Sequence, residues 1–580
     1  MKALAYIIAS LLLAGIITPA APAYGQFNGI QSSPHNLSAT GRGTIRATGE
    51  QEVCVFCHNS HGTAASKGVW NHSSSGGAYK VYASTSLKAK PGQPTGSSKL
   101  CLSCHDGTIA VGNVLSKSQI QMAGGVSAIP QGKDRLGTDL SGDHPISFPY
   151  DDALATQQPT LKSPRLLPKN VPLDANRELQ CTTCHDAHDN KIGKFLVMDN
   201  SHSQLCNTCH NPGTTTVLGH LDCSSCHQSH SAPSGSHLLK AAKETDTCLA
   251  CHNGHTGPGR GPNIAADIAK TYHHDTASPS DQADHIPNNS TCSDCHGVHS
   301  IKSGRALAPS ISPVLGDVAG VNTSGAPVAK AKFEYEVCFK CHGDTSAHTQ
   351  PIGRQVELAS KLQQFSPSAI SSHPVEAAGR GDDVPSLAPG YSVASVIYCS
   401  DCHNSDTGPK AGGTGPPGIH GSANRGLLAL EYDTADGTAE SATSYALCYK
   451  CHQRSTLLAN PAMTSNQPFP LHRSHVVNDK ASCSICHDSH GISSGQGTAR
   501  NNQHLVNFDT SIVRPDTATG RLEYDATAPR SGTCYLTCHG VAHSPLSYGL
   551  AAVAPLRAAP RRPAPGSALP SVPGPAGGRR

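Results

Sequence analysis

The cysteines of this sequence come in pairs, and a histidine follows the second cysteine of every pair. The first members are Cys54, Cys101, Cys181, Cys206, Cys223, Cys248, Cys292, Cys338, Cys399, Cys448, Cys483 and Cys534. Their partners are Cys57, Cys104, Cys184, Cys209, Cys226, Cys251, Cys295, Cys341, Cys402, Cys451, Cys486 and Cys538. All 24 cysteines are used in this way. Eleven pairs read C-x-x-C-H, and the last reads C-x-x-x-C-H. In a helical turn, positions i, i+3 and i+4 share a face, so two thiols and an imidazole converge. The thiols then reach the two vinyl groups of one haem edge, and the histidine takes one axial position on the iron. The spacing thus predicts twelve covalently attached c-type haems. In the last pair, the extra residue calls for a local bulge that still lets Cys534, Cys538 and His539 converge. Exported cysteine-rich chains also form disulfide frameworks, and paired C-x-x-C units also bind zinc, but neither requires histidine after every pair.

The proximal ligands are then His58, His105, His185, His210, His227, His252, His296, His342, His403, His452, His487 and His539. These are twelve of 34 histidines, while only four methionines occur, so bis-histidine ligation and low, spread potentials are expected. In six motifs a further histidine stands three residues on: His61, His188, His230, His255, His299 and His490. Such a histidine lies on the proximal side of its own ring, so it is expected to ligate a neighbouring haem. His35, His144, His373, His420 and His504 stand away from the motifs, and His543 follows His539 by four; these are further distal candidates. His202, His220, His237, His273, His274, His285, His348, His472 and His475 are more weakly marked, and His72 weaker still.

The elements that position these residues must be short. Aromatic residues are 4% of the chain, with one Trp, against 56 Gly and 42 Pro. Such a chain makes many loops and a poor side-chain core, so the haems themselves are expected to fill the interior. The expected class is mostly irregular, with short α-helices at the motifs and a haem-packed core. Strand signal is thin, with Val393–Tyr398 one candidate. Lys2, the apolar run from Ala5 to Ile17 and Ala21-Pro22-Ala23 read as a signal peptide over 1–25, giving an exported chain, periplasmic or extracellular. No cysteine precedes Cys54 to accept a lipid, and no later apolar run reaches the roughly 18 residues of a membrane helix. The expected sections are 26–160 with two haems, 161–310 with five, 311–555 with five, and a Pro/Arg-rich disordered tail over 556–580. A net charge of +3 gives no reason to expect nucleic acid as a partner.

The fragments SPHNLS…EVCVFCHNSHG, SSKLCLSCHDGTIAVG, DHPISFPYD, CSICHDSHG and GTCYLTCHGVAHSPLSY resemble the doubled-CxxCH multihaem cytochromes of metal-reducing bacteria such as Geobacter. The resemblance implies extracellular electron transfer, with other redox proteins, an outer-membrane porin–cytochrome complex, extracellular metal oxides or self-assembly into filaments as partners. In a filament, His35 is the residue expected to ligate a haem of the next subunit. The leading expectation is an electron conduit without a catalytic residue. Its rival is a multihaem oxidoreductase of the nitrite or hydroxylamine type, which needs one open haem. No C-x-x-C-K variant marks such a haem here.

Overall fold

The computed structural model describes residues 29–59, 69–213, 215–257, 260–276, 290–343, 352–357, 360–380, 384–459, 469–528 and 531–549. The chain divides into two compact units. The first comprises residues 1–213 and 222–242 and carries the first five motifs; the second comprises 214–221 and 243–580 and carries the other seven. Residues 1–25, 556–580, His61, His285 and His348 lie outside the described residues.

Loops dominate, as the composition requires. Apart from the first, a 3₁₀ turn at Cys54–Phe56, and the last, the motifs form short helices. They are α1 (Gly96–His105), α2 (Cys181–Cys184), α3 (Cys206–Cys209), α4 (Cys223–Cys226), α5 (Glu244–Leu249), α6 (Cys292–Cys295), α7 (Glu334–His342), α8 (Cys399–Cys402), α9 (Ala446–Tyr449) and α10 (Cys483–Cys486). A four-residue helix cannot satisfy its own first N–H groups, and isolated it would not form. Here side chains supply the caps. Asp294 accepts from the Thr291 amide at 2.7 Å at the start of α6, and Asp401 accepts from the Tyr398 amide at 2.8 Å at the start of α8.

Other caps come from the preceding motif. Glu244, four residues before Cys248, accepts from the Ser293 amide at 2.7 Å and its hydroxyl at 2.9 Å, joining α5 to α6. Glu334, four residues before Cys338, does the same to Ser400, both at 2.9 Å, joining α7 to α8. Ser98 of α1 accepts from the Cys181 amide at 3.0 Å, and Ser203 accepts from the Cys223 amide at 2.7 Å. At each of these joints the leading thiols of the two motifs meet: Cys101 with Cys181, Cys206 with Cys223, Cys248 with Cys292 and Cys338 with Cys399. Cys448 meets Cys483 likewise. Five consecutive motif pairs are thereby held leading edge to leading edge. None of the 24 cysteines forms a disulfide, which leaves every pair available for thioether bonds.

Among the described residues the apolar side chains form six small clusters rather than one core. The largest sheet differs from the sequence expectation. Val393–Tyr398 forms no strand; it contains a turn at Val393–Ser395 and runs extended into α8. The sheet instead closes the described chain, from β1 (Val513–Arg514), β2 (Glu523–Ala528), β3 (Ser531–Cys538) and β4 (Val541–Tyr548). Its order is β2-β3-β4, with β1 also pairing β3, all antiparallel. The hairpin between β3 and β4 turns on His539 and Gly540, with φ of 50° and 78°. Positive φ at both positions is the geometry of the tightest hairpin turns. Among the described residues, no helix is long and apolar enough to cross a membrane.

Glu334 is 8% exposed, and its replacement leaves the Ser400 amide without its acceptor. Glu334→Ala is expected to cost about 1–3 kcal/mol in denaturant unfolding of the haem-loaded protein, with Glu334→Gln, which keeps one acceptor, costing less.

Candidate functional site

In α2, α3, α4, α6, α8 and α10 the motif histidine follows the helix C-terminus, where the main chain becomes extended, while His105 and His342 close α1 and α7. The ring is then oriented through its Nδ1–H. In four motifs the acceptor is the carbonyl of a residue with positive φ: Lys194 for His185 at 2.9 Å, His237 for His227 at 2.8 Å, Gly426 for His403 at 2.8 Å and His504 for His487 at 2.9 Å. Two residues beyond each acceptor the chain forms a β-bridge back to the motif histidine, at Leu196, Leu239, Leu428 and Val506. These straps hold Nδ1 and leave Nε2 to face outward. The carbonyls of Asp134, Pro262 and Val314 hold His105, His252 and His296 in the same way, and Ser386 Oγ bonds His452 Nδ1 at 2.9 Å. Such partners fix the tautomer and raise the basicity of a metal-bound imidazole.

Opposite these rings stand other imidazoles. The pairs are His58–His188 at 5.9 Å between ring centroids, His105–His35 at 6.1 Å, His185–His230 at 6.1 Å and His210–His144 at 6.1 Å. In the second unit they are His252–His220 at 6.2 Å, His296–His420 at 6.1 Å, His342–His274 at 6.5 Å, His403–His490 at 6.0 Å and His487–His472 at 6.3 Å. A tenth pair, His475–His543 at 6.3 Å, contains no motif histidine. The separations span 5.9–6.5 Å while the interplanar angles run from 10° to 81°. Direct ring packing couples distance to angle. A fixed distance with a free angle is what two imidazoles show when each can rotate about a bond to one central atom. A metal holds a histidine nitrogen at about 2 Å, and that nitrogen stands about 1 Å from its ring centre, so two collinear ligands lie about 6 Å apart. The donor sets therefore fit an iron between each pair.

Burial favours the neutral form of several of these imidazoles, the state that donates to a metal. It pushes His144 and His420 down to about 4 and His472 to about 3, and in each the facing ring adds to the effect. Burial likewise pushes His452 down to about 4, with His373 the next contributor. His373 donates through Nδ1 to the Ser489 carbonyl at 2.6 Å.

Of the histidines expected to ligate neighbours, His188, His230 and His490 each face the ring of the motif two before their own. His35, His144 and His420 face motif rings too. His35 has its partner, His105, within the chain, which removes the reason for assigning it to a neighbouring subunit. His255 is exposed and bonded to Asn253 at 2.7 Å. His504 faces no motif ring: it is a strap residue, present for its left-handed backbone and its carbonyl. His220, His274 and His472 take facing positions that the sequence marked only weakly. The signal that could have found His472 is its place three residues before His475, the spacing of the doubled motifs. His72 is a buried structural residue, bonded to the Val111 carbonyl at 3.0 Å. The last motif does not form the expected turn. Cys534 and Cys538 lie on extended β3, with a register irregularity between Cys534 and Leu536, and His539 turns to Asp436.

A family model described as the doubled CXXCH motif matches residues 174–215 and 217–257. The chain carries the motif of multihaem c-type cytochromes. No curated protein matches it. Its CxxCH motifs indicate covalently bound haem c.

The facing pairs and the straps separate two kinds of histidine. His472→Ala is expected to convert one haem to a high-spin ferric signal of one iron per chain, read by electron paramagnetic resonance. His504→Ala is expected to leave the spin states unchanged, because the strap needs the carbonyl of residue 504 and not its ring.

Proposed function

We propose that the chain is a dodecahaem electron conduit, with an iron held between each facing pair of imidazoles. The observation that carries this is the common 5.9–6.5 Å spacing of the ring pairs. A haem with histidine on both faces has no open position for substrate, so the protein supplies spacing, potential and insulation while the cofactor carries the electron. The small, separate apolar clusters support an interior filled largely by the haems.

The cysteines support a path that follows motif order within each unit. Leading thiols meet in the pairs of the second and third, fourth and fifth, sixth and seventh, eighth and ninth, and tenth and eleventh motifs. Trailing thiols approach in the alternate pairs: Cys57 with Cys104, Cys184 with Cys209, Cys295 with Cys341, Cys402 with Cys451 and Cys486 with Cys538. The second to fourth and the seventh to eleventh motifs thus each have one neighbour across the leading edge and another across the trailing edge, which is the connectivity of a wire within each unit.

Export to the periplasm or cell exterior, and delivery of electrons to other redox proteins, a porin–cytochrome complex or extracellular metal oxides, complete this reading. Filament assembly remains one form of it, without His35 as the link. The alternative is an oxidoreductase of the nitrite or hydroxylamine type with one open haem. The fully oxidised protein is expected to show only low-spin ferric haem and to titrate over a broad range of low potentials. A high-spin signal approaching one iron per chain in the unsubstituted protein would point to the oxidoreductase.

A further inference from the structure

We propose that the haem of the last motif takes its axial pair from His543 and His475, and that His539, the histidine of the motif itself, is not a ligand. This rests on the haem reading above and departs from it at one residue.

The geometry of the hairpin carries the argument. On β3, Cys534, Leu536 and Cys538 alternate onto one face. His543 on β4 is registered against Leu536, so it lies on that same face, level with the space between the two thiols. Leu536 and His543 are both buried, at 5% and 8% exposure. The face belongs to the cluster of Ile485, Val513 and Leu536, against which Cys486, Cys534 and Cys538 pack. His475 stands across from His543 at 6.3 Å, within the range of the nine pairs that contain a motif histidine. His475 Nδ1 donates to the Leu471 carbonyl at 2.9 Å, leaving Nε2 as its donor atom. Nδ1 of His543 is buried without a hydrogen-bond partner, as it is in His420 and His472, both of which face motif histidines.

His539 is committed elsewhere. Its position at the hairpin tip, with φ of 50°, carries it past the second thiol and away from the face between them. Its Nε2, the atom that the strapped motif histidines leave free, lies 3.0 Å from both carboxylate oxygens of Asp436. A helical C-x-x-C-H turn brings its histidine beneath the ring. A strand cannot, and here the neighbouring strand supplies the imidazole instead. The helical turn Arg473–Asn478, with the preceding His472, then serves two sites. His472 faces His487 of the eleventh motif, His475 faces His543, and Phe469 touches both rings at 5.0 and 5.7 Å.

The test is ligand exchange in the full-length, haem-loaded protein, with haem content counted by mass on every preparation. Methionine in place of one axial histidine raises that haem's potential. His543→Met and His475→Met are each expected to move one of the twelve haems to higher potential in a redox titration, at full haem content. His543→Ala is expected to give a high-spin signal of one iron per chain. Asp436→Ala, which frees His539, and His539→Met are expected to shift no haem. If His539→Met moves one haem upward while His543→Met and His475→Met move none, the assignment is overturned. If His539→Met prevents attachment of the last haem, the other two variants still decide. A count below twelve in the unsubstituted protein would instead fail the haem reading itself.

Discussion

Two imidazoles can be kept facing each other across about 6 Å only if something other than their mutual contact fixes each ring. In this chain the fixing is done from behind. A backbone carbonyl takes the Nδ1–H of the motif ring, so the ring can neither flip nor tilt, and Nε2 is presented to the gap. Much of the irregular polypeptide is accounted for by this requirement. Straps must pass behind the rings, left-handed residues must aim their carbonyls, and short bridges must clamp the strap to the motif. Long helices and wide sheets would serve none of these tasks, which is why the secondary structure is so sparse.

The same requirement explains which parts of the site could be read in the sequence. The cysteine pairs and their histidines are a local pattern, and a helical turn is local too, so their positions and the eleven short motifs follow from spacing alone. The doubled histidines are marked by spacing alone, and three of them, His188, His230 and His490, face the ring of the motif two before their own. The facing positions of His220, His274 and His472 depend on how distant loops return, and residue type does not encode that. His504 shows the opposite failure. Its imidazole advertises ligation, whereas the fold uses its backbone, and the clue is the pattern it shares with Lys194, His237 and Gly426: a left-handed residue, an apolar one, then Leu or Val. The closing sheet lay beyond a reading that gave the last motif only a local bulge. The alternation of Cys534, Leu536 and Cys538 before a His-Gly step is a hairpin pattern.

The caps that cross between motifs have a structural logic distinct from ligation. A four-residue helix gains little from its own hydrogen bonds, so its stability comes from its neighbour: Glu244 for α6, Glu334 for α8, Ser98 for α2 and Ser203 for α4. The unit of folding is therefore the pair of motifs rather than the single one. Leading thiols meet inside each such pair, so the contacts that stabilise the polypeptide and those that set the attachment edges side by side are the same contacts.

A pair-based construction also says how a chain of this kind can change in length. Stability in a linear array is close to a sum over units and their nearest-neighbour interfaces, and the terminal units must be atypical because each lacks one neighbour. The cross-motif caps join the second motif to the third, the fourth to the fifth, the sixth to the seventh and the eighth to the ninth, while the tenth and eleventh meet through Cys448 and Cys483. The twelfth motif itself lies on the β3–β4 hairpin, held by strand hydrogen bonds in place of a helical turn. An array built in this way lengthens or shortens in steps of two motifs inserted between unchanged ends.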